Sequence, residues 1–193
     1  MPEPESPKDL LSVLLSLVNW LNEKKTSYAI IGGVAIGLVA QARATQDIDA
    51  VVWLDVEDFP AFLDSSASFG FLPRVPNALE FAMRSRVFLL RHKDTGIGVD
   101  ISCGALPFEE EMISRALDFN AGDLTLKVAT PEDLIIMKAV AHRKRDLIDI
   151  DNLLTVYQDL DLSRVRNWVR EFAQVLEMPE LVNDLENLLK GRG

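Results

Sequence analysis

Two carboxylates stand at the head of an apolar run, Asp47-Ile48-Asp49-Ala50-Val51-Val52-Trp53-Leu54, and this constrains the chain more than any other feature. Ile48 to Leu54, apolar apart from Asp49, reads as a central strand buried on both faces. Side chains alternate along a strand, so Asp47 and Asp49 leave one face together, ~7 Å apart along the chain. Like charges in that setting repel and resist burial. The fold must bring this end of the strand to a place where the charges are offset. A divalent cation offsets them, and carboxylate oxygens are the hard ligands that suit Mg²⁺.

The rest of the chain supplies a sheet and helices for that strand. Leu10, Leu14, Leu17 and Leu21, with Leu11, Leu15 and Val18 beside them, predict a helix over Lys8 to Lys25 behind a frayed tail at 1–7. Ser27 to Ile31 is a buried strand stopped by Gly32-Gly33, and a helix follows from Val34 to about Ala42. Val56 to Ser68 reads as a helix and Phe69 to Ala78, with Pro73 and Pro76, as a loop. Arg86–Arg91 and Ile97–Ser102 form a hairpin through His92-Lys93-Asp94-Thr95-Gly96. A helix over Phe108 to Phe119 and a strand over Leu124 to Ala129 come next. Thr130, Pro131 and Asp133 then cap a helix that runs to about His142. Beyond the basic knot His142-Arg143-Lys144-Arg145, a helix covers Asp146 to Tyr157. Two more follow, one on Val165, Val169, Phe172 and Leu176, the other on Leu181, Leu185, Leu188 and Leu189. The expected fold is α+β: a small mixed sheet flanked by helices at 1–130, with a helical C-terminal region at 131–193 packed on it.

Charge and composition narrow the function. The net charge is −10, which excludes a protein that coats nucleic acid through bulk positive charge. The longest apolar run, Ala29 to Ala40, has 12 residues, short of the ~20 a membrane helix needs. The acidic, Pro-rich start is unlike a signal peptide, so a cytoplasmic protein without membrane contact is expected. One cysteine, Cys103, excludes an intrachain disulfide, and with only His92 and His142 beside it a four-ligand zinc site of the usual kind is not available.

Further residues extend the carboxylate motif. Asp100, in Gly98-Val99-Asp100-Ile101-Ser102, sits between apolar neighbours on another strand. If the two strands are adjacent, three carboxylates face one point, enough for two Mg²⁺ ions and in-line phosphoryl chemistry. Gly32-Gly33, between strand and helix, lets a phosphate approach the backbone. Lys138, on a largely apolar helix, and the knot Arg143–Arg145 are contacts for a triphosphate in an otherwise acidic chain. Each has a plainer reading. Taken alone, Asp47 is a turn residue and Asp49 a strand-edge charge. Lys138 snorkels at a helix edge. Asp146 and Asp149 are first-turn helix residues favoured by the dipole. Asp94-Thr95-Gly96, with charged flanks, is a hairpin turn and not a protease triplet.

Taken together, Gly32-Gly33, Asp47-Ile48-Asp49 and Asp100, in that order, resemble the signature of nucleotidyltransferases of the DNA polymerase β-like superfamily. The closer resemblance is to the AbiEii-type group, bacterial nucleotidyltransferases often found as toxins of toxin–antitoxin pairs. Arg43, Thr45, Asp47, Ile48 and Asp49 match its first block. Pro131 to Leu134, Lys138, Arg143, Arg145, Asp146 and Asp149 match its later one. The likeness covers roughly residues 28 to 155. It implies an enzyme that moves a nucleoside monophosphate from an NTP to an acceptor hydroxyl or phosphate and releases pyrophosphate. Mg²⁺ or Mn²⁺ would be held by Asp47, Asp49 and Asp100, which would also be catalytic. Gly32, Gly33, Arg43, Thr45, Lys138, Arg145 and Asp146 would bind substrate. The acceptor is open among tRNA, a protein hydroxyl and a small molecule, and an antitoxin partner is implied. The other reading is a catalytically inactive binding or regulatory module of the same fold. Retention of all three Asp argues against it.

Overall fold

Alternate residues of the carboxylate-bearing strand, Ile48, Ala50 and Val52, are fully buried, and the sheet is built outward from them. The computed structural model describes residues 7–40, 45, 47–122 and 124–190. Its strands are β1 (Ser27–Ile31), β2 (Asp47–Trp53), β3 (Phe71–Pro73), β4 (Val87–His92), β5 (Gly98–Cys103), β6 (Leu117–Ala121) and β7 (Leu124–Val128). They form one seven-stranded sheet in the order β3-β4-β5-β2-β1-β7-β6. The pairs β2/β5 and β1/β7 are parallel and the others antiparallel, so the sheet is mixed, as the sequence leads one to expect. The chain divides into two compact units, residues 1–35 with 43–129, and residues 36–42 with 130–193.

The first unit holds the sheet with α1 (Pro7–Glu23), α3 (Phe59–Ser65), α4 (Ala78–Ser85) and α5 (Pro107–Arg115). One face carries the aromatic part of its core. Phe88, Ile101, Ala50 and Ile30 are cross-strand neighbours in one row, and all are buried. Trp20 of α1 stacks on Phe62 at 4.3 Å and on Phe71 at 5.6 Å between ring centres, and Phe59 meets Phe88 edge-on at 5.1 Å. The Trp20 indole N–H donates to Ser65 Oγ at 2.8 Å, so its one polar atom is satisfied. Removing so large a buried ring leaves a cavity that the neighbouring rings fill only in part. Trp20→Ala is expected to cost about 3–5 kcal/mol in a denaturant titration. A cost below about 1 kcal/mol would mean that the aromatic cluster is not the core of this unit.

The second unit is helical: α6 (Pro131–Ala141), α7 (Lys144–Val156), α8 (Leu162–Val175) and α9 (Glu180–Lys190). Thr130 caps α6, its Oγ1 accepting from the Asp133 N–H at 3.3 Å with Pro131 in the first turn. α8 buries Val165, Val169 and Ala173. Leu176, expected on that stripe, lies past the helix end and is exposed. The helix α2 (Gly32–Val39) begins in the first unit and ends in the second.

Several elements depart from the sequence expectation. α2 starts at Gly32 and not at Val34. The helix expected to Phe119 stops at Arg115, and Leu117–Ala121 becomes an edge strand with Leu117 exposed. An edge strand with one poorly covered face carries no clear alternation to read. The stretch expected as a loop contains β3, a three-residue edge strand where Pro73 is tolerated because one side needs no ladder partner. α4 is short and follows Asn77 in the left-handed region, φ +51°, which propensity alone does not reveal.

Candidate active site

Parallel pairing of β2 with β5 brings the strand carboxylates together. Asp49 lies opposite Asp100, and Asp47 opposite Gly98. Directly opposed residues on neighbouring strands, ~4.8 Å apart, share a face. Asp47, Asp49 and Asp100 therefore leave the same face, opposite the row of Phe88, Ile101, Ala50 and Ile30. Because the strands run the same way, all three sit toward the starting ends of both. Asp47 is exposed, and Asp49 and Asp100 are half-buried.

Two glycines make room for these groups. A Cβ on Gly32 would collide with the Asp49 carboxyl, whose Cγ lies 2.7 Å from the Cβ position. A Cβ on Gly98 would collide in the same way with Asp47, whose Cγ lies 3.1 Å from it. Gly32 also has φ +67°, a left-handed conformation that a side chain makes costly. Strain and collision act together, so Gly32→Ala is expected to lower stability by about 1–3 kcal/mol. Thermal unfolding checks this, and an unchanged Tm would show that α2 and Asp49 shift apart freely. Gly33 is buried in the first turn of α2.

A cation the sequence gives no sign of completes the face. Arg74, just past β3, donates from Nη2 to Asp100 Oδ1. Its Nη1 lies 3.1 Å from the Cβ position of Gly98, beside Asp47. Burial pushes the Asp100 carboxyl up, Arg74 pulls it down, and the charge of Asp47 pushes it up again, leaving it above the ordinary carboxylate range. Arg91 on β4 faces Gly98 across the strand pair, and so falls in the row of Asp47. Asp47, Pro73, Arg74, Arg91, Gly96 and Gly98 line a hollow of about 440 Å³. Gly98 was legible in principle, since it shares a face with Asp100 two residues on. Arg74, in a segment with no periodicity, was not.

Thr45 Oγ1 donates to the Asp47 carbonyl at 3.2 Å and so steadies the entry to β2. Arg43, its expected companion, lies outside the described residues.

The remaining expected residues belong to the second unit and form a cluster of their own. Lys138, buried, places Nζ 2.9 Å from Asp146 Oδ1 and 2.8 Å from Asp149 Oδ2. Arg143 adds Nε at 2.6 Å and its backbone N–H at 3.1 Å to Asp146 Oδ2. Burial alone would raise the Asp146 carboxyl, but hydrogen bonds from Arg143 and Lys138, and the Lys138 charge, hold it below its ordinary value. Lys138 therefore has two carboxylates as partners already, while Arg145 is exposed on the first turn of α7.

The three strand carboxylates form a hard-oxygen donor set, the chemistry Mg²⁺ or Mn²⁺ requires. Among the described residues no three carboxylate, imidazole or thiol groups stand close enough to hold one ion in the present arrangement. Asp100 is engaged by Arg74 instead. No helix of the described residues is long and apolar enough to cross a membrane.

Comparison with known proteins points the same way. The family model described as "Nucleotidyl transferase AbiEii toxin, Type IV TA system" matches residues 14–188. No curated protein matches the chain in sequence. Among solved structures, the lincosamide antibiotic adenylyltransferase LnuA, with lincomycin bound, is similar at TM-score 0.55 and 16% identity. That match covers 80% of this chain and all of that one. The antibiotic-resistance factor ANT(2'')-Ia in solution is similar at TM-score 0.61 and 14% identity, covering 91% and 97%. A nucleotidyltransferase-like protein from Paracoccidioides brasiliensis is similar at TM-score 0.56 and 19% identity, covering 92% and 93%. At such identities the likeness is one of fold.

Proposed function

Because this chain belongs to the AbiEii nucleotidyltransferase toxin family and is a nucleotidyltransferase, we propose that it is a divalent-metal-dependent one that acts as the toxin of a type IV toxin–antitoxin pair. The observation that most supports this reading is the register of β2 and β5, which sets Asp49 beside Asp100 and two residues from Asp47 on one face. Asp47, Asp49 and Asp100 would hold Mg²⁺ or Mn²⁺. Bound there, it would supply positive charge to offset that of the phosphates. Asp100 takes the proton of the acceptor hydroxyl as that oxygen attacks the α-phosphorus of an NTP. The bond to the β-phosphate breaks and pyrophosphate leaves. The family resemblance implies that Gly32, Gly33, Arg43 and Thr45 would contact the triphosphate. The family resemblance further implies substrate contacts from Lys138, Arg145 and Asp146 of the helical region. The region at 131–193 acts as the second part of the enzyme beside the 1–130 nucleotidyltransferase core in the chain. The acceptor is a tRNA end, a protein hydroxyl or a small molecule.

The test is transfer itself. The protein is incubated with each α-labelled NTP, Mg²⁺ and a cell extract, and the labelled product is separated by size and nuclease sensitivity. One nucleotide should label one acceptor class, and EDTA should erase the label. Label transfer undiminished by EDTA would remove the metal from the reading. Absence of label with all four nucleotides, in extracts of several bacteria, would favour the inactive module.

A further inference from the structure

We infer that Arg74 occupies two positions: it is the resident counter-cation of Asp100 while the site holds no metal, and a triphosphate-binding residue once a divalent cation takes that carboxylate. This rests on the reading above that Asp47, Asp49 and Asp100 hold the metal. Arg74 is anchored by its backbone, whose N–H donates to the Leu89 carbonyl at 2.9 Å. Leu89 is the cross-strand neighbour of Asp100, so the anchor lies beside the carboxylates. From there the guanidinium reaches Asp100 with Nη2 and stands beside Asp47 with Nη1. It thus occupies the space between two of the three expected ligands. A metal ion on Asp100 and a guanidinium on the same oxygen repel each other, so binding of one releases the other.

The released side chain has a place to go. It lines the hollow of about 440 Å³ that it shares with Arg91, Gly96 and Gly98. Gly96 has open space around its Cβ position, so a ligand can approach its backbone. Two guanidinium groups on one wall of a hollow, beside a face otherwise rich in carboxylates, suit a polyanion that arrives with a metal. A planar guanidinium fork matches phosphate oxygens in pairs. Arg74 is about a third exposed, so its swing needs no repacking of the core.

One substitution should act in opposite directions on two ligands. Calorimetry is carried out with Mn²⁺ alone and with magnesium tripolyphosphate, which needs no knowledge of the preferred base. Arg74→Gln removes the competitor for Asp100, so Mn²⁺ alone should bind about three- to ten-fold tighter, the scale of one partly exposed charged hydrogen bond. The same variant should bind magnesium tripolyphosphate about ten-fold more weakly than wild type. Arg74→Lys keeps the charge without the fork. It should bind Mn²⁺ as wild type does and recover only part of the tripolyphosphate affinity. Equal Mn²⁺ affinity in wild type and Arg74→Gln, or a loss of both ligands together in a folded variant, overturns the inference and leaves the metal site standing. If Mn²⁺ binds none of the three proteins, and Asp49→Asn changes nothing, the metal reading fails and this inference with it.

Discussion

Asp49→Asn is expected to reduce nucleotidyl transfer by at least about 10²–10³-fold with no loss of thermal stability. The magnitude is that of removing one electrostatic stabiliser from a preorganised site. The absence of a stability cost follows from the packing. Asparagine keeps the shape that fits against Gly32, so the cradle is undisturbed. The substitution also removes a negative charge directly across the strand pair from Asp100. Like charges in that relation are destabilising by a few tenths to about 1 kcal/mol, and relief of that repulsion offsets what the charge contributes to its other neighbours, so the unloaded variant should melt close to wild type. Mg²⁺ should raise the Tm of the wild type by binding the folded state only, and that rise should be absent in the variant. Labelled transfer and thermal melts with and without Mg²⁺ measure the three effects together. An active variant would remove Asp49 from the metal set. An inactive variant that melts well below wild type would mean that the carboxylate serves folding.

The carboxylate face was legible because its logic is local. The spacing of Asp47 and Asp49 and the apolar neighbours of Asp100 each state, within a few residues, that a charge sits on a buried strand. The adjacency of the two strands rests on one long-range pairing, and apolar strands of similar length leave few other central places for it. Edge elements were hard to read for the opposite reason. β6 and β3 are exposed on most positions, so neither shows the alternation that burial imposes. Gly32 and Gly98 have roles that only coordinates reveal. Gly32 reads in sequence as a place for a phosphate, while in the structure its missing side chain is where the Asp49 carboxyl sits. Arg74 has the weakest signal of all, a lone arginine between two prolines three residues apart. Its partner is 26 residues ahead in sequence, and only the fold of β3 onto β4 brings them together.

Lys138→Met should destabilise the protein by about 3–5 kcal/mol at neutral pH, with the deficit shrinking as the solution is acidified. Lys138 lies between Asp146 and Asp149, and all three are buried. Methionine fills much the same volume but removes the ammonium that both buried carboxylates face, leaving Arg143 on Asp146. Removing one partner of a buried ion pair costs about that much, because the other charge stays desolvated. The pH dependence follows from the sign of the shift at Asp146. In wild type its carboxyl is held below the ordinary 3.8. Its stabilising contribution is therefore complete above that pH and is lost as the pH falls through the lower folded value. In the variant, burial acts on Asp146 with Arg143 but not Lys138 to oppose it, so that carboxyl rises relative to wild type. It then becomes easier to accommodate as it protonates, and acid relieves the variant while it weakens the wild type. Urea titrations at pH 7 and at about pH 3 should show the two stabilities approaching each other. Adding Asp149→Asn to Lys138→Met should restore part of the loss at pH 7, since one of the two carboxylates that faced Lys138 is then uncharged. A constant difference across that range, or no recovery in the double variant, would show that Lys138 contributes through its packing and not through its charge.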